Sequence, residues 1–253
     1  MTFADFDLSI LGLAFVAGLL VIATHVPLGR EVLTRGIIFI DLAVAQVAGL
    51  GVIAANYLGL EPNAIGVQVA AVAAALAAAL ALNFTERRWP HVQEALIGAL
   101  FIMAASTGLL LLANNPHGGE HLKDLLAGQI LWVSPHGLAI TAVVYGAVLA
   151  LWFSQRSRLG TAGFYILFAI AVTASVQQVG VYLVFASLIM PALATRGIEG
   201  ARGLWLGYAI GVLGYAGGIA VSALVDMPTG ALTVWTLALA AAVMGFALRR
   251  KTT

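Results

Sequence analysis

The chain has 253 residues, of which 62% are hydrophobic and 9% charged, and its formal net charge is +1. Soluble domains average about 45–50% apolar and about 25% charged residues, so this composition argues against a soluble enzyme or a disordered protein. The near-zero charge gives no basis for nucleic-acid binding, and the absence of cysteine excludes disulfides and thiolate ligands. The sequence therefore predicts an all-α, polytopic helical membrane protein.

Apolar runs long enough to cross a bilayer follow one another along the chain, because a transmembrane helix needs about 20 apolar residues. They lie near residues 8–28, 36–58, 63–84, 93–113, 137–153, 203–224 and 231–248. The stretch 162–195 is too long for one untilted span and carries polar residues in its middle, so we expect two short passes joined near 176–179. The prediction is eight or nine transmembrane helices in one domain, residues 1–253.

The few charges indicate an orientation. Arginines follow the first, third and fifth runs, flank the end of 162–195 and close the chain, whereas the alternate loops carry mainly Asp and Glu. By the positive-inside rule, the N-terminus is outside and the C-terminus is cytoplasmic. The acidic start of the chain lacks the basic region of a signal peptide, so the first run is expected to be retained.

Polar residues inside the predicted spans mark candidate functional positions. Asp41 lies about six residues into the second span, and a membrane-embedded carboxylate costs roughly 2.5–3.5 kcal/mol on insertion scales. Gln46 lies about 140° away around the helix, so the two do not share a face. Helix packing, a place on a substrate path and snorkelling to the membrane interface are the three explanations for Asp41. Gln177 and Gln178 sit where 162–195 must break, which also indicates a translocation path.

The outer loop, about 114–136, contains His117, Glu120, His121, Asp124 and His136. Imidazole and carboxylate groups are the usual ligands of zinc and similar ions when thiolates are absent. If a helix starts near Gly119, Glu120 and Asp124 share a face at i, i+4. A solvated polar loop and a transient metal-collecting site both fit. A zinc hydrolase built on His-x-x-Glu-His would need that motif on a helix, which Gly118 and Gly119 oppose.

Three stretches resemble the permease subunits of ABC-type zinc/manganese/iron importers. They are Arg35 to Gly51, with the core Ile40-Asp41-Leu42-Ala43-Val44-Ala45-Gln46; Val179 to Ala194, which reads VGVYLVFASLIMPALA; and Asp226-Met227-Pro228-Thr229-Gly230. Their order and spacing agree with that family from about residue 10 to 248. The match has departures. The family's intramembrane Asp falls on Leu42 and its His on Gln46, and the family's Gly-Asp after the outer loop is Gly128-Gln129 here.

The resemblance implies a type II ABC-importer-like permease that works as a homodimer. Two ATP-binding subunits and an extracytoplasmic metal-binding protein would be its partners, and residues 190–202 would form the cytoplasmic coupling segment. We found no Gly-x-x-x-x-Gly-Lys-Ser/Thr motif, so the chain is not predicted to be an enzyme and ATP hydrolysis is expected on a partner.

The predicted function is thus a bacterial inner-membrane permease for a divalent transition metal, zinc or manganese and after them iron, with no permanently bound cofactor. The expected metal ligands are His117, Glu120, His121, Asp124 and Asp41. Gln46, Gln177 and Gln178 are expected on the path, and Pro191, Arg196 and Arg202 in coupling to the ATPase. A secondary metal transporter or channel that needs no ATPase, an intramembrane metalloprotease and a permease for a metal chelate remain as alternatives.

Overall fold

The structure is a computed structural model that describes residues 8–60, 64–113, 115 and 118–249, with their side chains except those of Leu8, Ala64, His121, Arg156, Ser157 and Arg249. Its elements are helical throughout the described residues. The helices are α1 (Leu8–Arg35), α2 (Ile40–Tyr57), α3 (Ala64–Arg88), α4 (Gln93–Leu112), α5 (Gly118–Ala127), α6 (Pro135–Ala194), α7 (Gly200–Val225) and α8 (Thr229–Arg249). One-turn 3-10 helices at Pro90–Val92 and Ile130–Trp132 precede α4 and α6.

Within the described residues, eight helical segments are long and apolar enough to cross a membrane. They are Ser9–Arg35, Ile40–Tyr57, Ile65–Arg88, Pro90–Leu112, Pro135–Gln155, Arg158–Ala194, Gly200–Val225 and Thr229–Leu248. Each predicted span overlaps one of these segments, because a 20-residue apolar stretch satisfies its backbone hydrogen bonds inside a bilayer only as a helix. The all-α, polytopic architecture is confirmed.

Helix α6 runs from Pro135 to Ala194 but contains two glycines with positive φ. Gly160 and Gly180 have φ values of 57° and 77°, and a right-handed helix does not pass straight through such residues. Gly180 lies one residue beyond the stretch 176–179 where the sequence predicted a break. The fifth span therefore ends near Gly160, and the long stretch that follows is divided at Gly180.

The break at Gly180 is fixed by a close approach of three backbone segments. A Cβ on Gly180 would lie 2.3 Å from the backbone nitrogen of Gly128, and a Cβ on Gly128 would lie 2.2 Å from the carbonyl oxygen of Val179. A Cβ on Gly230, in the first turn of α8, would lie 2.3 Å from the carbonyl oxygen of Ala127. Only glycine allows these backbones to meet, which gives Gly180 and Gly230, two glycines of the resemblance motifs, a structural reason.

Contacts divide the chain into two compact units, each made of separate chain segments. The first unit comprises Met1–Gly36, Ala127–Tyr145 and Gln178–Thr253, and the second comprises Ile37–Leu126 and Gly146–Gln177. In the first unit α7 packs against both α1 and α8. In the second unit α2 packs against both α3 and α4.

The glycines of α7 lie at its contacts in the first unit. Positions of a Cβ on Gly207 and Gly211 would overlap Val26 and Ile22 of α1, and those on Gly214 and Gly218 would overlap Leu237 and Thr233 of α8. Small residues permit such close helix packing in lipid, where no hydrophobic effect drives helices together. The glycine stripe is therefore a packing surface.

Candidate functional site

Helix α2 differs from the other candidate spans in two properties that occur together. Its mean hydropathy of 1.4 is the lowest of the eight, and 61% of its residues are buried, the largest share of the eight. A lipid-facing helix gains from apolar side chains, whereas an enclosed helix can carry polar ones only if protein or a water-filled path surrounds them. Among the described spans, α2 is the best candidate for a helix that lines a translocation path.

Asp41 lies in the first turn of α2, which begins only at Ile40. The sequence placed it about six residues into a span starting near 36; the structure corrects this, because the chain turns between Gly36 and Phe39 before α2 starts. The carboxylate is fully buried, and its Oδ1 accepts a hydrogen bond of 2.8 Å from the Leu42 backbone N–H. This end of a helix favours negative charge because its N–H groups lack intrahelical partners.

The second carboxylate oxygen of Asp41 has no such hydrogen bond within the described structure. Oδ2 is buried and has no hydrogen-bond donor among the described residues. A buried carboxylate oxygen without a donor costs at least about 1–3 kcal/mol of free energy. A cation, a proton or a water molecule would offset that cost.

Gln46 lies one turn and a half further along α2 and is only 3% exposed. Its Oε1 is likewise buried without a donor within the described part of the chain. It shares a face with Gly49, where a Cβ would lie 2.7 Å from the Leu125 side chain of α5. Gln46 and Asp41 therefore offer two separate oxygen ligands at different levels and on different faces of α2.

Sequence reasoning missed Glu94, which lies in the first turn of α4. Its Oε1 accepts a hydrogen bond of 2.6 Å from the backbone N–H of Ile38, so α4 fixes the entry into α2. Its Oε2 is buried and has no donor among the described groups. The signal was present in the sequence as a single carboxylate at the start of an otherwise apolar run, but such residues usually lie at the interface. Two carboxylates thus flank the start of α2, each with one satisfied and one unsatisfied oxygen.

A second missed position is Gln93, which joins three helices of the second unit. It is 3% exposed, and its Nε2 donates to the carbonyl oxygen of Leu82 at 2.9 Å and to the Tyr165 hydroxyl at 3.3 Å. Its Oε1 accepts from the Thr85 hydroxyl at 2.9 Å. Because every polar atom of Gln93 has a partner, its role is structural.

The two glutamines near the break of α6 have different environments. The Gln177 side chain is exposed, whereas Gln178 is half-buried and its amide donates to the hydroxyl of Thr141 within the first unit. Gln178 therefore helps to hold the break, and its amide is already engaged.

The outer loop forms a helix, although its sequence predicted that Gly118 and Gly119 oppose one. Helix α5 begins at Gly118, and a Cβ there would lie 2.6 Å from the carbonyl oxygen of Leu112, so the tight approach requires glycine. Glu120 and Asp124 are exposed and share a face at i, i+4, as predicted from a start near Gly119.

Of the three histidine side chains of this loop, the structure describes that of His136. His117 lies outside the described residues, as does the side chain of His121, and His136 is exposed in the first turn of α6. Among the side chains that are described, no three His, Asp or Glu residues form a metal-binding group.

The predicted coupling segment, residues 190–202, spans the end of α6 and the start of α7. Pro191 is buried, whereas Arg196 and Arg202 are exposed. The segment therefore has an inner side that packs on the protein and an outer side that carries two cations.

Sequence reasoning also passed over His25, which is fully buried in α1. Its Nδ1 lies 2.9 Å from the carbonyl oxygen of Val21 and 2.9 Å from the Thr24 hydroxyl. The ring centroid lies 6.4 Å from that of Tyr145 in the same unit. These contacts hold the imidazole within the first unit and give it a structural role there.

Comparisons with known proteins agree with this architecture. A curated relative is the "Probable metal transport system membrane protein" of Chlamydia trachomatis serovar D, 23% identical over 225 residues, covering 80% of this chain and 77% of the relative. Two solved structures share the fold. PsaBC from Streptococcus pneumoniae in complex with Fab matches with a TM-score of 0.76 and 20% identity, over 95% of this chain and 92% of that one. A candidate metal-chelate type ABC transporter in an inward-facing conformation matches with a TM-score of 0.68 and 15% identity, over 98% and 90%.

The family model gives the assignment. The model of the ABC 3 transport family matches residues 7–164 and 158–248, which together cover nearly all of the chain and contain all eight candidate spans. The chain belongs to the ABC 3 transport family.

Proposed function

We propose that this protein is the permease subunit of an ABC importer that carries a divalent transition-metal ion across a bacterial inner membrane. The observation that carries the proposal is the fully buried carboxylate of Asp41, with one unpartnered oxygen, in the least apolar and most enclosed candidate span of an ABC 3 family member. The curated relative, whose name describes a metal transport system membrane protein, and the matching metal-chelate type ABC transporter support a metal-containing substrate.

The proposed path uses weak ligands that exchange readily. Asp41, Glu94 and Gln46 each present a single unsatisfied oxygen, and such a set cannot hold an ion as a closed four-ligand site does. Carboxylate and amide oxygens suit manganese, and the imidazoles of the outer loop suit zinc, so both ions are candidate substrates. His117, Glu120, His121 and Asp124 would collect the ion outside, before it enters the span.

The remaining parts of the proposal follow from the charge pattern and the family. The N-terminus lies outside and the C-terminus inside. The stretch 158–194 begins and ends on the cytoplasmic side and reverses its course at Gly180. Two copies of the permease pair with two ATP-binding subunits, whose ATP hydrolysis drives alternating access, and an extracytoplasmic protein delivers the metal. Arg196 and Arg202 contact the ATP-binding subunits.

The test is metal uptake by the complete complex. The permease, its ATP-binding subunit and the delivery protein are reconstituted in vesicles, and zinc and manganese uptake are measured for Asp41→Asn and Gln46→Ala. Loss of a metal ligand should reduce uptake at limiting metal by at least the roughly 10- to 100-fold that loss of a ligand's hydrogen-bond partner causes, with complex assembly unchanged. Asn56→Ala, which removes a polar side chain at the other end of α2, is the matched control, and its metal uptake should stay near that of the wild type.

Two outcomes would contradict the proposal. Uptake by both Asp41→Asn and Gln46→Ala equal to wild type would remove α2 from the path. Metal transport by the purified permease alone, without any ATP-binding subunit, would favour a secondary transporter or channel.

A further inference from the structure

The inner side of the coupling segment is held by a side chain from another helix. Arg30, near the end of α1, donates from Nη2 to the carbonyl oxygen of Ile198 at 2.8 Å and from Nη1 to the Thr195 hydroxyl at 3.4 Å. Thr195 is 1% exposed and caps the end of α6, where its hydroxyl also donates to the Pro191 carbonyl at 2.8 Å. Ile198 closes the turn through its N–H bond to the carbonyl oxygen of Thr195.

The first turn of α7 is shaped around this guanidinium. A Cβ on Gly203 would lie 2.1 Å from Arg30 Nη1 and 2.1 Å from the carbonyl oxygen of Ile198. Gly203 is buried and Arg30 is half-buried, so a side chain at position 203 would push the guanidinium away from its two acceptors. The coupling segment and the start of α7 therefore fit closely around one cation from α1.

The outer side of the coupling segment makes no hydrogen bond to α1 among the described residues, and its side chains are exposed. Arg196, Glu199 and Arg202 are exposed, while Thr195 beneath them is buried. The neighbouring Arg35 provides a contrast, because its Nε pairs with Glu31 at 2.9 Å within α1 itself. Of these two arginines near the end of α1, Arg30 reaches across to the coupling segment and Arg35 pairs along its own helix.

We propose that Arg30 is a positioning residue that ties the coupling segment to α1, so that a movement imposed on the segment by an ATP-binding subunit is passed to α1. The planar guanidinium suits this role because it bonds a hydroxyl and a carbonyl at once in a fixed geometry, which a lysine ammonium does not reproduce. The inference rests on the proposed function for its partner, but the link itself is a property of the isolated chain.

The first test needs no transport. The chain contains no cysteine, so Glu199→Cys creates a single labelling site on the exposed side of the segment. A spin label there, in the full-length permease in lipid nanodiscs, should become more mobile when Arg30→Lys is added. Arg35→Lys is the matched control and should leave the spectrum unchanged. Gly203→Ala crowds the guanidinium from the opposite side and should reproduce the effect of Arg30→Lys. Identical spectra for all variants would overturn the link.

The second test measures coupling in the complete complex. Metal uptake and ATP hydrolysis are followed in the same vesicles, and their ratio should fall at least about fivefold for Arg30→Lys while Arg35→Lys stays near wild type. Increased label mobility with an unchanged ratio would overturn the coupling role. If the wild-type complex itself moves no metal, the proposed function fails, and the spin-label result still decides whether Arg30 holds the segment.

Discussion

Gly180→Ala tests the backbone junction at the break of α6. Two effects add at this position. The residue has φ = 77°, and a left-handed conformation costs an L-residue roughly 1–2 kcal/mol. The new Cβ would also lie 2.3 Å from the Gly128 nitrogen and 2.6 Å from the Ala127 carbonyl carbon, and relieving such an overlap costs about 1–3 kcal/mol.

The net loss follows after one offset. Alanine restricts the unfolded chain and returns about 0.4–1 kcal/mol, so we expect Gly180→Ala to destabilise the protein by about 1–5 kcal/mol. Both clashing atoms are backbone, so no side-chain rotation can relieve the overlap. For a chain of this size the loss corresponds to a fall in Tm of about 2–20 °C.

Gly160→Ala separates the two effects. Gly160 also has a positive φ, 57°, but nothing lies within 4 Å of its Cβ position, so only the conformational cost applies and the net loss should be about 1 kcal/mol or less. Gly98→Ala, inside α4 with equally open space, should be stabilising by about 0.5–1 kcal/mol.

The assay is thermal unfolding in one detergent, followed by the fluorescence of the five tryptophans. The expected order of Tm is Gly98→Ala, wild type, Gly160→Ala and then Gly180→Ala by a clear margin. Equal losses for Gly160→Ala and Gly180→Ala would refute the reasoning, because the close approach of the three backbone segments would then contribute nothing.

Two further predictions concern the candidate site. Glu94→Ala should lower stability by about 1–3 kcal/mol because the Ile38 N–H loses its acceptor, whereas Glu94→Gln keeps an acceptor and should cost less in thermal unfolding; equal losses would show that the hydrogen bond is not what matters. His117→Ala combined with His121→Ala should weaken uptake at limiting zinc or manganese without preventing assembly, with His136→Ala as the control. Unaltered uptake by the double variant would leave a solvated loop as the explanation for these histidines.

The sequence predicted the helices and their order well because hydropathy is a local property. Each span is recognised from the free energy of transferring its own side chains from water to lipid. The resemblance motifs follow one another in the same order as in the family. The break in 162–195 was found to within a residue of Gly180, since polar residues and glycine interrupt an apolar run. The start of α2 was misjudged, because apolar residues in the turn before Ile40 look like part of the span.

Only part of the candidate site could be predicted from the sequence. Asp41 and Gln46 stood out as polar residues in an apolar run, and the structure finds both buried with an unpartnered oxygen. Glu94 and Arg30 did not stand out, because charges at the ends of spans ordinarily face water. Their roles depend on partners far along the chain, Ile38 and Ile198, that no local pattern identifies.

By itself, then, the sequence determined that this protein is a bundle of membrane-crossing helices, because burial in lipid is decided one span at a time. Only the tertiary structure decided which span is enclosed by the others, which charges turn inward, and why Gly180 and Gly203 must lack a side chain. Those properties come from close contacts between residues distant in sequence, and hydropathy, which is summed along the chain, carries no record of them.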